Sequence, residues 1–360
     1  MNADTVKEIQ IRAPDDFHVH FRQGEMLRNV APFTSNVFRR AMVMPNTSPA
    51  ILTADDVIPY RVSIKDAARN DAFEPLMTIK LVGTTTPAII EDAMAVGIVA
   101  AKLYPEGVTT NSEDGVSPGD IEKLYPVFDV MQRADLVLSL HGEVPKVFVM
   151  DREFRFLTIL EQIAEDFPRL RIVLEHITTG AAVAKVKSMR EGVAATITTH
   201  HLLMTLDNVL CDERGGNEFL NPHHYCKPVA KRPEDRDWLL KAAFSGNPKF
   251  FFGSDTAPHL REKKECDCGC AGVWNAPVNL PILASLFLDH PESSPNPASA
   301  NAQGLERFIS EFGAQFYRLP LNDTKITLYD NNDPYTVQDN IGGVVPFWAR
   351  RSLGWRCRKG

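Results

Sequence analysis

Histidine, lysine and aspartate residues stand in this chain of 360 residues where metal chemistry would need them. His18 and His20 are two residues apart, so on a β-strand both imidazoles point to the same side. Imidazole nitrogens and carboxylate oxygens are ligands of Zn²⁺ and related ions. An H-x-H pair alone is weak evidence, since two surface histidines give the same pattern. Further polar residues end other apolar runs of the sequence: Asn46, Lys102, His141, His176 and Asp255.

Apolar runs of strand length recur along the chain, each followed by a stretch that can form a helix. Their Val, Ile, Leu and Phe residues stand on consecutive positions, which is typical of parallel strands buried on both faces. The eight runs are 16–20, 41–46, 76–83, 99–105, 136–143, 171–177, 193–202 and 250–255. The helix candidates include 53–70, 87–96, 117–133, 152–167, 179–191 and 233–246. Eight strand–helix units favour an α/β fold, a closed (β/α)₈ TIM barrel in a single domain over 1–360.

A closed barrel brings the C-terminal ends of its strands to one rim, where its chemistry lies. The residues that end the apolar runs would therefore meet in space although they are far apart in sequence. Four histidines, a lysine and an aspartate on one rim predict a metal site. Irregular insertions at 208–229 and 259–279 follow late strands, and long ordered loops of this kind are usually functional.

Composition and charge argue against several classes of protein. The net charge of −7 does not suit a nucleic-acid binder, which needs a basic face. No apolar run reaches the roughly 20 residues of a membrane span, and the first residues lack the apolar segment of a signal peptide. We therefore expect a cytoplasmic protein with six reduced cysteines. The C-terminal segment 346–360, with its basic end, is expected to be a solvated tail.

Other candidate ligands carry less weight. His200 and His201 end the seventh apolar run, so one of them could line the site, but we predict that they pack or support it instead. Three histidines are predicted to lie in loops: His223, His224 and His290. The segment Cys266-Asp267-Cys268-Gly269-Cys270 looks like a zinc knuckle, but structural zinc sites usually need a second cysteine pair. A loop with free thiols is the better prediction.

Several motifs occur together and in a characteristic order. They are DFHVHFR at 16–22, MPNT at 44–47, AKLYP at 101–105, GSDTAPH at 253–259, GCAG at 269–272 and VPFW at 345–348. As a set they resemble the bacterial-type (class II) dihydroorotases of the amidohydrolase superfamily, and the resemblance runs over nearly the whole chain. That family forms and hydrolyses the ring amide of dihydroorotate in pyrimidine synthesis, using two zinc ions.

The resemblance implies two zinc ions per chain in one binuclear centre. Its ligands would be His18, His20 and Asp255 on the first ion, His141 and His176 on the second, and carbamylated Lys102 between them. A carbamate suits the bridging position because it is a bidentate anion, whereas a free ammonium would repel cations. Asp255 would also be the catalytic residue that carries a proton between water and the ring nitrogen.

The resemblance also implies a set of substrate-binding residues for dihydroorotate and N-carbamoyl-L-aspartate. They are Arg22, Asn46 and His259 on the substrate carboxylate, Thr109 and Thr110 on a mobile lid at 107–112, and Lys227 and Ala271 along the pocket. The alternative for the threonines is an ordinary loop in which they cap the next helix. The sequence departs from the family at Asn221, where an Arg is expected, and at Lys227, which is often apolar. We expect a homodimer.

Three alternative functions stay open on the sequence. Hydantoinases, allantoinases and other cyclic amidases usually carry tens of residues before the H-x-H motif, whereas seventeen residues precede His18. A deaminase on the same barrel generally binds one metal and has no bridging lysine. A catalytically inactive barrel that binds another pyrimidine enzyme would be expected to lose ligands, and none is missing here.

Overall fold

The strands of this protein alternate with helices over most of the chain. The computed structural model describes residues 7–214, 217–289 and 301–359. In chain order its strands are β1 (Lys7–Arg12), β2 (Asp15–Val19), β3 (Arg40–Val43), β4 (Glu74–Leu81), β5 (Ile98–Leu103), β6 (Val137–His141), β7 (Ile172–Glu175), β8 (Val193–Ile197), β9 (Asp212–Arg214), β10 (Asn217–Phe219), β11 (Phe250–Phe252), β12 (Lys325–Asp330), β13 (Tyr335–Thr336), β14 (Ser352–Leu353) and β15 (Arg356–Lys359).

Helices follow most of these strands. They are α1 (Gly24–Ser35), α2 (Ala54–Ala68), α3 (Pro87–Ala95), α4 (Tyr125–Arg133), α5 (Arg152–Asp166), α6 (Gly180–Ser188), α7 (Thr199–Leu203), α8 (Asp207–Leu210), α9 (Pro233–Ala243), α10 (Arg261–Lys264), α11 (Asn279–Leu288), α12 (Ala302–Glu306) and α13 (Phe312–Phe316). Short 3₁₀ helices span Pro118–Leu124 and Pro222–His224, and a π-helical segment spans Arg307–Glu311. None of the described helices is long and apolar enough to cross a bilayer.

Eight strands form one parallel sheet in the order β2-β3-β4-β5-β6-β7-β8-β11. Two hydrogen bonds join its ends: Asp255 N–H donates to the carbonyl of His18 at 2.9 Å, and His20 N–H donates to that of Thr256 at 2.9 Å. The sheet therefore closes into a barrel, and the predicted (β/α)₈ TIM barrel is confirmed.

Local sequence signals account for where several helices begin. The carboxylate of Asp56 accepts from the backbone N–H of Thr53, just before α2, at 2.9 Å. Thr179 caps α6, because its hydroxyl oxygen accepts a hydrogen bond from Ala182 N–H at 3.1 Å. Such caps satisfy backbone donors that the first turn leaves free, and they match the starts predicted at 53 and 179.

The barrel interior is filled at its N-terminal end, away from the candidate site. Phe17 of β2 stacks on Tyr317, with ring centroids 5.1 Å apart, and meets Phe251 of β11 edge to face at 5.4 Å. Phe312 of α13 belongs to the same buried cluster. Aromatic side chains thus close this end, so a cavity can form only at the other rim.

The C-terminal segment 346–360 is not a solvated tail, and that prediction was wrong. β15 pairs antiparallel with β12, which pairs with β1 in a three-stranded sheet. Trp355 is buried, and its indole N–H donates to the carboxylate of Asp289. Arg358 lies over the ring of Tyr329 on the outer face. The segment folds because apolar side chains alternate with the basic ones, as on a strand with one buried face.

The run 193–202 is also not one strand. β8 ends at Ile197, and the hydroxyl oxygen of Thr198 accepts from His201 N–H at 3.0 Å to begin α7. The insertion 208–229 contains a β9–β10 hairpin and a 3₁₀ turn, with Gly215 and Gly216 outside the described residues. His290 also lies outside them.

Candidate active site

The rim residues predicted from the sequence all come from the C-terminal ends of barrel strands. His141 is the last residue of β6, His176 follows β7 directly, and Lys102 is the penultimate residue of β5. Together with His18, His20 and Asp255 they are buried. The ring centroid of His176 lies 5.0 Å from that of His18 and 4.8 Å from that of His141. The barrel therefore brings these side chains together as predicted.

Three possible ligand atoms face one another where the ends of β2 and β11 meet. His18 Nε2 and His20 Nε2 are 3.3 Å apart, and Asp255 Oδ1 lies 3.4 Å from the first nitrogen and 3.1 Å from the second. Burial lowers the pKa of both imidazoles and raises the pKa of the Asp255 carboxyl. Neutral imidazoles keep a lone pair, so the three groups have the chemistry of a metal-binding set.

The backbone is strained at two of the predicted ligands. His176 has a φ of +41° and Asp255 a φ of +48°. L-residues with side chains rarely adopt this left-handed region, and such strain persists where the surroundings fix it, often at functional sites. At His176 the backbone N–H donates to the hydroxyl of Thr196 at 2.6 Å, which helps to hold the turn.

Two buried carboxylates orient the histidines, and the sequence analysis missed both. Glu175 accepts from His18 Nδ1 at 2.9 Å, which leaves Nε2 to face the cluster. Glu143 lies 2.8 Å from His141 Nε2, so Nδ1 is the ring nitrogen that this carboxylate does not engage. Carboxylates commonly hold metal-binding imidazoles in this way. The available signal was their place beside the rim histidines at the ends of buried strands.

Lys102 lies deep in this cluster without a polar partner. Its Nζ atom is buried and makes no hydrogen bond to any of the described residues, and the same is true of His176 Nδ1. Burial lowers the pKa of Lys102 to about 8, against the attraction of Glu175 and Asp255. Burial alone would raise the pKa of Glu175, but Lys102 and His18 outweigh it and hold that pKa at about 2.

A narrow cavity of about 20 Å³ lies beside the cluster. Predicted substrate-binding residues line it: Arg22, Asn46, Thr109, Thr110, Lys227 and Ala271. His259 is not part of this lining but touches it, because its Nε2 atom lies 2.9 Å from the Arg22 guanidinium and 3.0 Å from the Ala271 carbonyl. Because one ring nitrogen cannot accept a hydrogen bond from the guanidinium and donate one to the carbonyl at the same time, only one of these two hydrogen bonds can form at once. Burial, with Arg22 beside it, lowers the pKa of His259 to about 2.

The loop that carries the two threonines folds over this cavity. Asn46 Nδ2 donates to the carbonyl of Thr110 at 3.0 Å, and Asn111 Nδ2 donates to the carbonyl of Asn46 at 2.9 Å. The next helix begins at Pro118 after Ser117, so neither threonine caps it. The alternative of a helix-capping loop is therefore wrong.

His200 and His201 lie outside this cavity, as predicted. With Cys226 they form a second buried group of possible ligands, whose donor atoms lie within 4.8 Å of one another. In the cysteine-rich segment 266–270, Cys266 and Cys268 are exposed and their sulfur atoms are 3.0 Å apart. Cys270 is partly buried, and none of the three forms a disulfide in the described part of the chain.

Comparison with known proteins identifies the family. A family model described as Amidohydrolase matches residues 64–267. A dihydroorotase of Picosynechococcus sp. is 45% identical over 360 residues, covering 98% of this chain and 99% of that protein. The chain belongs to the dihydroorotase family.

Solved structures of dihydroorotases share the whole fold. The crystal structure of the Campylobacter jejuni dihydroorotase has a TM-score of 0.85 and 38% identity, covering 98% of each chain. That of the Saccharomyces cerevisiae dihydroorotase in complex with 5-fluoroorotic acid has a TM-score of 0.86 and 36% identity, again over 98% of each chain. The similarity therefore extends over nearly the whole barrel.

Two further residues bear on the likeness to dihydroorotases. Asn221, where an Arg was expected, lines a separate cavity of about 350 Å³ that holds none of the predicted site residues. Tyr104, which was not among the predicted site residues, lines the narrow cavity. Burial raises its pKa well above the usual value, so its hydroxyl keeps the proton. Its oxygen is buried with no hydrogen-bond partner in the described part of the chain.

Proposed function

We propose that the protein is a dihydroorotase, which interconverts N-carbamoyl-L-aspartate and (S)-dihydroorotate, with loss of water on ring closure, in the synthesis of pyrimidines. The observation that carries the proposal is the convergence of four histidines, Lys102 and Asp255 on one barrel rim in a member of this family. The likeness to class II enzymes also supports a cytoplasmic homodimer.

The residues on the rim fit a pair of zinc ions. His18, His20 and Asp255 would hold one ion, with His141 and His176 on the other. Lys102, carbamylated on its buried and unpartnered amine, would bridge them. When bound, the ions would supply a nucleophile from water near neutral pH and polarise the ring carbonyl.

Asp255 would move the proton of the reaction. During hydrolysis the oxygen of water bonds to the ring carbonyl carbon, and the carbon–nitrogen bond breaks. Asp255 takes the proton from that water and delivers it to the leaving nitrogen. In the direction of ring closure the same carboxylate removes the proton from the ureido nitrogen.

Substrate binding would use the residues around the narrow cavity. Arg22 offers a planar fork to the substrate carboxylate, with Asn46 and His259 beside it. Thr109 and Thr110 would close over the ring as a lid, and Lys227 and Ala271 would line the pocket. The lid would exclude water that competes for these hydrogen bonds.

Turnover of dihydroorotate, followed by ultraviolet absorbance together with zinc analysis, tests this function. We expect hydrolysis of dihydroorotate and about two zinc ions per chain, as a paired-metal site requires. Turnover of hydantoin or allantoin in place of dihydroorotate would assign another cyclic amidase. Full zinc loading without turnover of any of the three substrates would favour the inactive binding partner.

A further inference from the structure

The capping loop, defined as residues 105–116, lies over the candidate site in a closed position. Besides its contacts with Asn46, the hydroxyl of Thr110 donates to the carbonyl of Ala271 at 3.4 Å on the opposite side of the cavity. The space beneath has room for about one water molecule, so a substrate enters only when the loop moves. The contacts that keep the capping loop closed therefore affect substrate binding and release.

A buried lysine reaches the capping loop from below. Lys80 lies on β4, and its side chain is only 1% exposed although lysines almost always reach water. Its register partner on β5 is Lys102, so both side chains leave the same face of the sheet. Lys102 points to the histidine cluster, whereas Lys80 has turned to the loop.

Both polar partners of the Lys80 ammonium belong to the capping loop. Its Nζ atom donates to the carbonyl of Asn111 at 2.8 Å and forms an ion pair with the carboxylate of Asp114. The ring of Tyr104, which directly precedes the loop, lies 6.0 Å from the same atom. If the loop lifts, the buried cation loses both hydrogen-bond partners at once.

The loop is shaped to make these contacts. Asn111 has a φ of +54°, a left-handed conformation that asparagine tolerates better than most residues. At Gly115 an added Cβ would lie 2.6 Å from the carbonyl oxygen of Tyr104, so only glycine lets the loop fold back this closely. These features place the Asn111 carbonyl and the Asp114 carboxylate above Lys80.

The charge of Lys80 favours the closed loop over the open one. A buried cation without a partner is costly, whereas Asp114, with 54% of its side chain exposed, returns easily to water. The free-energy difference between closed and open states therefore includes the pairing of Lys80. Groups that act on only one of two states shift their populations.

We propose that Lys80 is a positioning residue, which latches the capping loop over the candidate site through its ion pair with Asp114. Its effect on catalysis rests on the proposed function, but its effect on the loop does not. Lys80 touches no reacting atom. It acts through the loop that carries Thr109 and Thr110.

Hydrogen–deuterium exchange of the capping loop in the full-length, zinc-loaded protein tests the latch directly. Three variants are compared: Lys80→Met, which keeps the length of the side chain without its charge, Asp114→Asn, and the control Lys123→Met. Lys123 forms an exposed ion pair with Asp120 just beyond the loop, at 2.8 Å. We expect loop exchange about tenfold faster in the first two variants and unchanged in the control, with zinc content unchanged in all three.

Steady-state kinetics and a double variant complete the test. With dihydroorotate we expect kcat/KM to fall roughly tenfold in both latch variants, and the variant Lys80→Met/Asp114→Asn to be no worse than Lys80→Met alone. Since the Asp114 side chain is half exposed, Asp114→Asn folds even if Lys80→Met does not. Unchanged loop exchange in Asp114→Asn would overturn the latch. Absent turnover in the unmodified protein would overturn the proposed function and leave the exchange test valid.

Discussion

Two groups of buried histidines in this protein bring possible ligand atoms equally close, yet they differ in what their nitrogens do. In the rim group, formed by His18, His20 and Asp255, the donor atoms face one another. In the inner group, formed by His200, His201 and Cys226, the possible ligand atoms lie within 4.8 Å of one another, as they do in the rim group. Proximity and burial alone therefore do not separate a metal site from a packed core.

Most ligand atoms of the inner group are already hydrogen-bonded, although His200 Nε2 has no hydrogen-bond partner among the described residues. His201 Nε2 donates to the carbonyl of Pro228 at 3.1 Å, and its Nδ1 lies 3.0 Å from the hydroxyl of Thr198. His200 Nδ1 accepts from the amide of Asn275 at 3.0 Å, which leaves the proton on Nε2. Cys226 donates to Pro228 at 3.3 Å. In the rim group, Glu175 accepts a hydrogen bond from Nδ1 of His18, so Nε2 of that ring keeps its lone pair.

Replacing one histidine in each group should give the largest contrast. His18→Ala removes a proposed ligand, so we expect loss of bound zinc and of dihydroorotate turnover. His201→Ala should keep the zinc content and instead lower the free energy of unfolding by about 2–4 kcal/mol, because it opens a cavity and strands polar partners. Metal analysis and thermal unfolding of both variants decide it. Zinc loss in His201→Ala would make the inner group a metal site.

Lys102→Ala tests the proposed bridge between the two ions. We expect a loss of several kcal/mol of transition-state stabilisation, on the order of a thousandfold in kcat, because the proposed pair of ions would lose its shared ligand. Added short carboxylates should restore part of the activity by taking the place of the carbamate. Turnover close to that of the unmodified protein would mean that Lys102 does not bridge.

Glu175→Gln tests whether the Glu175 carboxylate, which binds His18 Nδ1, accounts for the difference between the rim group and the inner group. The variant keeps the size of the side chain but removes the charge that favours the Nδ1–H tautomer. We expect zinc affinity to fall about 10- to 100-fold, with little change in thermal stability of the zinc-free protein. Competition with a chelator measures it. An unchanged affinity would show that the position of His18 alone suffices.

Cys226→Ser should have the smallest effect. Serine can still donate to the carbonyl of Pro228, so we expect a loss of only about 1 kcal/mol in the free energy of unfolding. Zinc content and kcat/KM should match those of the unmodified protein. A drop in zinc content would show that the thiol binds metal.

Local sequence predicted some elements well and others poorly, for identifiable reasons. The helix predicted over 53–70 is α2, because capping signals lie next to the helix itself. The run 193–202 was misread since Thr198 ends the strand through a hydrogen bond that its apolar neighbours do not reveal. The prediction for 346–360 was wrong because it rested on the number of basic residues. Those residues alternate with apolar ones, and pairing with β12 makes this alternation a stable strand.

The sequence by itself determined the barrel and the kinds of residue on its rim, because strand periodicity and the residues at strand ends are local properties. Tertiary structure alone decided which further side chains support the rim residues and the capping loop. Glu175 finds His18 across 157 residues, and Lys80 finds Asp114 across 34. Such pairs depend on the register of neighbouring strands and the path of loops. Since many distant contacts together fix that geometry, no local pattern in the sequence reveals it.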